Sequence, residues 1–468
     1  MSESGPLPAA PVVRVRAYRD ELRVLGALAL PVVGVQVGSM MLGLVDTLMI
    51  ARLDTASLAA ASLGNLWIFG TLIIGMGIVL GIDPIVTQAH GAGDGRAAAL
   101  GLQRGVAVAL LAAVPIGLLW LFTEPVLVFA NQNAAHAAAA ASFVRVQLPT
   151  MPLFLVFLAM RQYLQGRGIL APTVWVIVGA NVINLVLNWM LIYGHLGAPQ
   201  MGLVGSGIAS ATARAFMFAG LLTWVLVRRL HRGAWTPWTW AALSPSGLAD
   251  VLRFGIPVGL QYGLEVWAFQ IATLLAGILG EEPLGAHTIV LNMASLSFMV
   301  PLGISHAAAV RVGNLVGARD LAGAQRAAWM AFAMGGGVMA VSALSFLIFR
   351  WQLPLLYGPE AAVALLATGV LPIAAAFQLF DGLQAVGGGI LRGMGRVRPA
   401  YVFNLFGYYA LALPLAGWLA FTQKQGLAGL WWGLALGLMV IAASLIAWVA
   451  IRGPASMSTM STTRTQAR

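Results

Sequence analysis

The chain contains no cysteine, so disulfides, paired-thiol redox chemistry and thiolate metal sites are excluded. It contains one lysine, Lys424, in the string FTQKQG. A nucleotide-binding loop needs a glycine-rich turn ending in Lys-Ser/Thr, and FTQKQG is not one, so the chain is no ATP-driven pump by itself. A chromophore on a mid-membrane lysine is excluded too, because Lys424 sits in a short polar loop. Charge of either sign is scarce, at 9% of residues against roughly a quarter in soluble domains. What is present instead is hydrocarbon: 60% of the 468 residues are hydrophobic and the mean hydropathy is +0.88. At about 20 apolar residues per membrane crossing, that supplies a dozen crossings. A soluble enzyme, a disordered chain and a small disulfide scaffold are excluded, and a polytopic membrane protein remains.

Apolar runs bounded by glycine, proline and charge predict twelve spans, near 24–50, 58–89, 102–122, 142–164, 171–193, 203–227, 251–279, 285–310, 327–349, 361–390, 400–421 and 427–451. The net charge of +11 raises the question of nucleic acid, but its distribution answers it. With the N-terminus inside, 21 of the 26 Lys and Arg residues fall in inner segments. Only Arg52, Arg145, Arg350 and Lys424 fall outside, and Arg214 sits near the outer end of the sixth span. This is the positive-inside bias, which predicts cytoplasmic termini and a cell inner (plasma) membrane location. Residues 1–23 are polar, basic and lack a cleavage site, so they read as a cytoplasmic tail rather than a leader. Residues 453–468, rich in Ser and Thr, read as a disordered tail.

A repeat divides the chain. A shift of 226 residues places Pro31 on Pro257, Gly77 on Gly303, Gly91 on Gly317 and Asp94 on Asp320. The stretches GIDPIVTQAHGAGD (81–94) and AAAVRVGNLVGARD (307–320) close the second span of each half alike. The expected domains are therefore a six-span N-lobe (24–229), a cytoplasmic linker (230–248) and a six-span C-lobe (249–452). Six is even, so both lobes enter the bilayer from the same side, and such repeats place a substrate path between them. The fold class is an all-α membrane protein of two pseudo-symmetric lobes around a central cavity, a transporter architecture.

A charge at membrane depth costs at least ~2.5–3.5 kcal/mol, so it points to function. Glu265 lies 12 residues after Arg253 and Asp381 lies 11 before Arg392, which puts both roughly 16–18 Å from the inner surface, near the midplane. A carboxylate there can be charged beside a wet cavity and neutral when occluded. Asp46 lies in the outer third of the first span. Asn184 and Asn188, four apart, share one helix face, and Ser210 on the next span can join them. Carboxylate, amide and hydroxyl oxygens suit a proton relay or a sodium site, or else polar contacts between helices. Asp83, before Pro84, reads as a hinge or path residue or as a cap for backbone freed by the proline. Arg214 reads as snorkelling outward in preference to pairing with Asp46. His287 and His306 read as hydrogen-bonded packing residues in preference to proton shuttles. Gln261, Phe377 and His287 complete the candidates along the path. No resident metal or cofactor is expected.

Four strings give a resemblance: LPVVGVQVGSMMLGLVDTLMIARL, GIPVGLQYGLEVWAF, RVGNLVGARD and FQLFDGLQAVGGGILRGMGRVRP. Over about 24–452 the chain resembles multidrug and toxic compound extrusion (MATE) transporters of the NorM-like branch. The resemblance implies a V-shaped molecule of two lobes alternating between inward- and outward-open states. It implies an antiporter that exports organic, mainly cationic, compounds in exchange for a proton or sodium ion, with transient Na+ at Asp46 or at Glu265 and Asp381. It places the family's acids on Asp46, Glu265 and Asp381, its N-lobe cation-site oxygens on Asn184, Asn188 and Ser210, and an acid of eukaryotic-type members on Asp83. Two positions depart: Phe377 replaces a frequent tyrosine four before Asp381, and Asn188 stands where some members carry an acid. Both shift weight toward Glu265 and Asp381 as the coupling pair, with Asp46 as a second site. The partners implied are drugs and the lipid bilayer, with no nucleic acid or nucleotide, for a monomer. A lipid-linked saccharide flippase of the same superfamily is the alternative, and would need a more cationic cavity than Arg214 supplies; a metabolite exporter is another. A major-facilitator transporter would carry a basic loop after the second span, where this chain has HGAGDGRAAA.

Overall fold

A computed structural model of the chain describes residues 11–238 and 240–457. Twelve helices are long and apolar enough to cross a membrane. In chain order they are α1 (Tyr18–Ile50), α2 (Thr55–Gly91), α3 (Gly95–Leu121), α4 (Ala134–Gly166), α5 (Ala171–Tyr193), α6 (Gly202–Val227), α7 (Pro245–Leu279), α8 (Glu281–Gly317), α9 (Leu321–Ile348), α10 (Ala361–Gly393), α11 (Arg398–Thr422) and α12 (Gly426–Ser456). Each expected span falls within one of them or overruns it by a residue. The helices run longer than the apolar runs because polar end turns continue the same backbone hydrogen bonds. The first helix starts at Pro11, so the part of the expected tail that is described is helical. Residues 1–10 and 458–468 lie outside the described residues.

The repeat is visible in the helix starts. The matched pair Asp94 and Asp320 are the N-caps of α3 and α9, accepting from the Ala97 and Gly323 backbone N–H at 2.9 and 2.7 Å. A side-chain oxygen there satisfies a donor that the first turn leaves orphaned. One residue earlier the chain turns through positive φ, +74° at Gly93 and +61° at Arg319.

Two apolar cores form, one largely from α1–α6 and the other largely from α7–α12. The halves meet through α1 on α8 and α2 on α7 and α8. Between these helices glycine lets backbones touch. A Cβ at Gly91 would strike the Asn314 backbone and one at Gly317 the Gln88 backbone. One at Gly77 would strike Gly259 and one at Gly303 would strike Val33. Shifted by 226, each contact of these two pairs becomes its mate with the helices exchanged, so the lobe interface is pseudo-twofold.

Burial is lopsided along the interface helices. In α8 nearly every residue from Pro301 to Gly313 is buried, whereas Leu291–Val300 are mostly half-exposed. The buried end is the one that carries the connection 228–244, called here the linker end. That connection is tied to the first half. Gln103 Nε2 donates to the Thr236 carbonyl at 2.8 Å, Arg167 Nη1 to the Leu230 carbonyl at 2.6 Å, and the Tyr163 hydroxyl to the Ala234 carbonyl.

Candidate functional site

Glu265 on α7 and Asp381 on α10 come together inside the second lobe, within electrostatic reach of each other and both buried. Gln384, one turn beyond Asp381, donates through Nε2 to Glu265 Oε2 at 3.0 Å and lies 3.3 Å from Asn404 Oδ1 on α11. Asp381 Oδ1 is buried without a hydrogen-bond partner. Tyr408 on α11 is fully buried, its hydroxyl likewise unpartnered and within electrostatic reach of both acids. It sits in a stretch of wide π-helical turns, Leu405–Ala412, a geometry that frequently marks functional sites. Among the described residues no arginine, lysine or histidine acts electrostatically on either acid.

Sequence reasoning found the two acids and missed Gln384, Asn404 and Tyr408. The spacing offered a signal: Asn404 and Tyr408 are four apart on one face of an otherwise apolar helix. Gln261 lies one turn from Glu265 and touches Gly388 of α10. Phe377 and His287 lie in the lobe's core. The Phe377 ring packs 5.2 Å from Trp431 and 5.9 Å from Phe269. His287 Nε2 lies 3.2 Å from the Thr273 hydroxyl, and its ring packs 5.6 Å from Trp431. Each is 1% exposed or less, so neither offers surface to a path in this conformation.

The first lobe holds a second constellation nearer the opposite, far end. Asp46 on α1 accepts from Asn184 Nδ2 at 3.0 Å, from Asn188 Nδ2 at 2.6 Å, and from the Ser210 hydroxyl. The amide oxygens of both asparagines are buried and unpartnered. They can turn toward a cation, as hard oxygen donors do. Arg214 does not snorkel. Its guanidinium lies 5.6 Å from the centre of the Phe154 ring with Nη1 buried, and its charge acts on Asp46. An aromatic face and a carboxylate inside outweigh the outer interface for this side chain.

Asp83 is not a free acid in this conformation. Its carboxylate pairs with Arg392 Nε of α10 at 2.9 Å and accepts from Gln162 Nε2 of α4 at 2.8 Å. Arg161, next to Gln162, adds a second positive charge near Asp83 and donates to Gln36 Oε1 at 3.1 Å. Arg392 also donates to the Tyr262 hydroxyl at 3.0 Å and lies 3.3 Å from His306 Nδ1. Arg161 and Arg392 are 7% and 2% exposed. Read from sequence they were inner-segment charges, with Arg214 the sole cation at depth. The structure corrects this by burying both beside Asp83 at the lobe interface: α10 continues past its apolar run to carry Arg392, and Arg161 lies within the run of α4.

The MatE family pattern matches residues 31–190 and 257–418, one stretch in each half. A probable multidrug resistance protein NorM of Mesorhizobium japonicum is 33% identical over 444 residues, covering 92% of this chain and 93% of its own. The multidrug resistance protein PmpM of Pseudomonas aeruginosa is 33% identical over 441 residues, covering 92% and 91%. Among solved structures, the eukaryotic MATE transporter AtDTX14 superposes with a TM-score of 0.88 at 24% identity, covering 96% of this chain and 99% of that one. The chain belongs to the MatE family: it is a multi-pass membrane transporter of that fold.

Proposed function

We propose that this MatE-family chain is a NorM-like multidrug antiporter, exporting organic cations in exchange for protons or sodium ions at Glu265 and Asp381. One observation carries the reading: two buried carboxylates stand within electrostatic reach of each other, with an unpartnered oxygen and no basic neighbour among the described residues. Such a pair is costly unless a cation or proton joins it. A lipophilic cation and the coupling ion then compete for one site, and each elementary charge moved inward gains about 2.3 kcal/mol per 100 mV. The names of the multidrug resistance relatives support drugs as the cargo. Asp46 with Asn184, Asn188 and Ser210 forms a second cation site in the N-lobe.

The lobes span 24–229 and 249–452, joined by 230–248, and rock against each other. The linker end is cytoplasmic by the arginine bias, as are both termini, in an inner membrane. The described conformation, tight at the linker end, is then outward-open.

Transport of ethidium into proteoliposomes, with proton and sodium gradients imposed separately, tests the reading. Transport driven by one gradient is expected, lost in Glu265→Gln and Asp381→Asn with the fold intact, and weakened in Asp46→Asn. Ethidium transport by Glu265→Gln equal to wild type at matched incorporation would sink it.

A further inference from the structure

Three ion pairs occur among the described residues, and two of them join the halves at the linker end. Glu21 of α1 holds Arg311 of α8 through contacts of 2.6 and 2.9 Å. Asp83 of α2 holds Arg392 of α10 at 2.9 Å. The deeper pair carries a surplus: two buried guanidinium groups face one carboxylate. An unmatched buried charge is expensive, so the second arginine needs a reason.

The distribution of partners between the halves supplies one. Arg161, Gln162 and Gln36 belong to the same half as Asp83, and Tyr262 and His306 belong to the same half as Arg392. Separation of the halves would break the Asp83–Arg392 pair and leave whole the other hydrogen bonds that Asp83, Arg161 and Arg392 make with these side chains. Asp83 would otherwise stand unpaired at membrane depth. Arg392 would leave with a phenol and an imidazole already beside it.

We propose that Asp83 exchanges Arg392 for Arg161 when the linker end opens, so that Asp83–Arg392 latches the closed end and Arg161 is the positioning residue that stabilises the open one. Glu21–Arg311 is the second, shallower latch. The proposal rests on the reading that the lobes rock, but its readout needs neither drug nor coupling ion. Absence of gradient-driven transport would count against the antiport reading and leave this test intact.

Native cysteine is absent, so labels can be placed cleanly at Ala92→Cys and Ala318→Cys. These are exposed, repeat-related positions at the linker end of each half. Pulsed dipolar spectroscopy of the doubly spin-labelled full chain in nanodiscs then reads the ratio of long to short distances. Glu21→Gln raises that ratio and serves as the background. Adding Arg392→Gln raises it by a further factor of about ten or more. Adding Arg161→Gln instead lowers it by about fivefold or more, because the closed state keeps Arg392 on Asp83 whereas the open state loses its one remaining cation there. Where Arg392→Gln does not give monodisperse protein, Arg392→Lys replaces it with the same sign expected. A ratio that rises or stays level with Arg161→Gln would overturn the exchange, since Arg161 would then be one more closing contact. Distances unmoved by every variant would overturn the latch as well.

Discussion

Tyr408 concentrates the residue-scale question. Phe377 leaves the usual neighbour of Asp381 without a hydroxyl, yet a hydroxyl from another helix, that of Tyr408, lies within electrostatic reach of the acids. That oxygen is buried and unpartnered, which costs stability in the resting fold. A group kept at such a cost has its use when an ion arrives. Tyr408→Phe is therefore expected to leave the melting temperature unchanged or raised, while gradient-driven ethidium transport falls about tenfold. A thermal melt and a transport assay on one preparation decide it: lost stability together with unchanged transport would make Tyr408 a packing residue. Glu265 and Asp381 were legible from sequence because an acid in an apolar run is conspicuous and its distance from the nearest arginine gives its depth. Tyr408 was not, since a phenol is ordinary in a membrane helix and only the wide turns of α11 aim it.

Among elements, the glycines divide by what surrounds them. Gly317 packs against the Gln88 backbone across the lobe interface, whereas Gly337 on α9 has open space where a Cβ would sit. Overpacking a tight contact costs about 1–3 kcal/mol, and Gly in a helix interior costs about 1 kcal/mol against Ala. Gly317→Ala is thus expected to loosen the closed linker end and lower the melting temperature by several degrees. Gly337→Ala should leave it level or raise it. Thermal melts of the two variants against wild type check this, and equal shifts would remove the interface argument. Helix existence was readable from hydropathy, but which glycines bear contacts was not: 55 glycines look alike until partner helices are placed. The repeat did point to Gly77, Gly91, Gly303 and Gly317, and all four sit where backbones of opposite lobes meet.

Across the whole molecule, the arginine asymmetry and the closed linker end give a test of orientation. Single cysteines at Gln132 and Lys424, both exposed at the far end, should react with a membrane-impermeant maleimide in intact cells. A cysteine at Arg96, exposed at the linker end, should react only after lysis. The reverse pattern would invert the topology and with it the direction of export. The net charge thus speaks to orientation. The buried Arg161 and Arg392 are the exception, both drawn to Asp83 at the lobe interface, where Arg392 pairs with it across the halves.

Composition and periodicity by themselves determined the helical membrane class, the twelve spans, the duplicated halves and the acids at depth. Each of these follows from local thermodynamics: apolar length against bilayer thickness, and the cost of a charge in hydrocarbon. Only the tertiary structure decided which polar groups share a site. The Glu265–Gln384–Asn404 chain draws on three helices, and the Asp83–Arg392 pair joins residues 309 positions apart. Helix rotation and lobe contact, set by glycine and by the wide turns of α11, fix those partnerships, and neither leaves a period in the sequence.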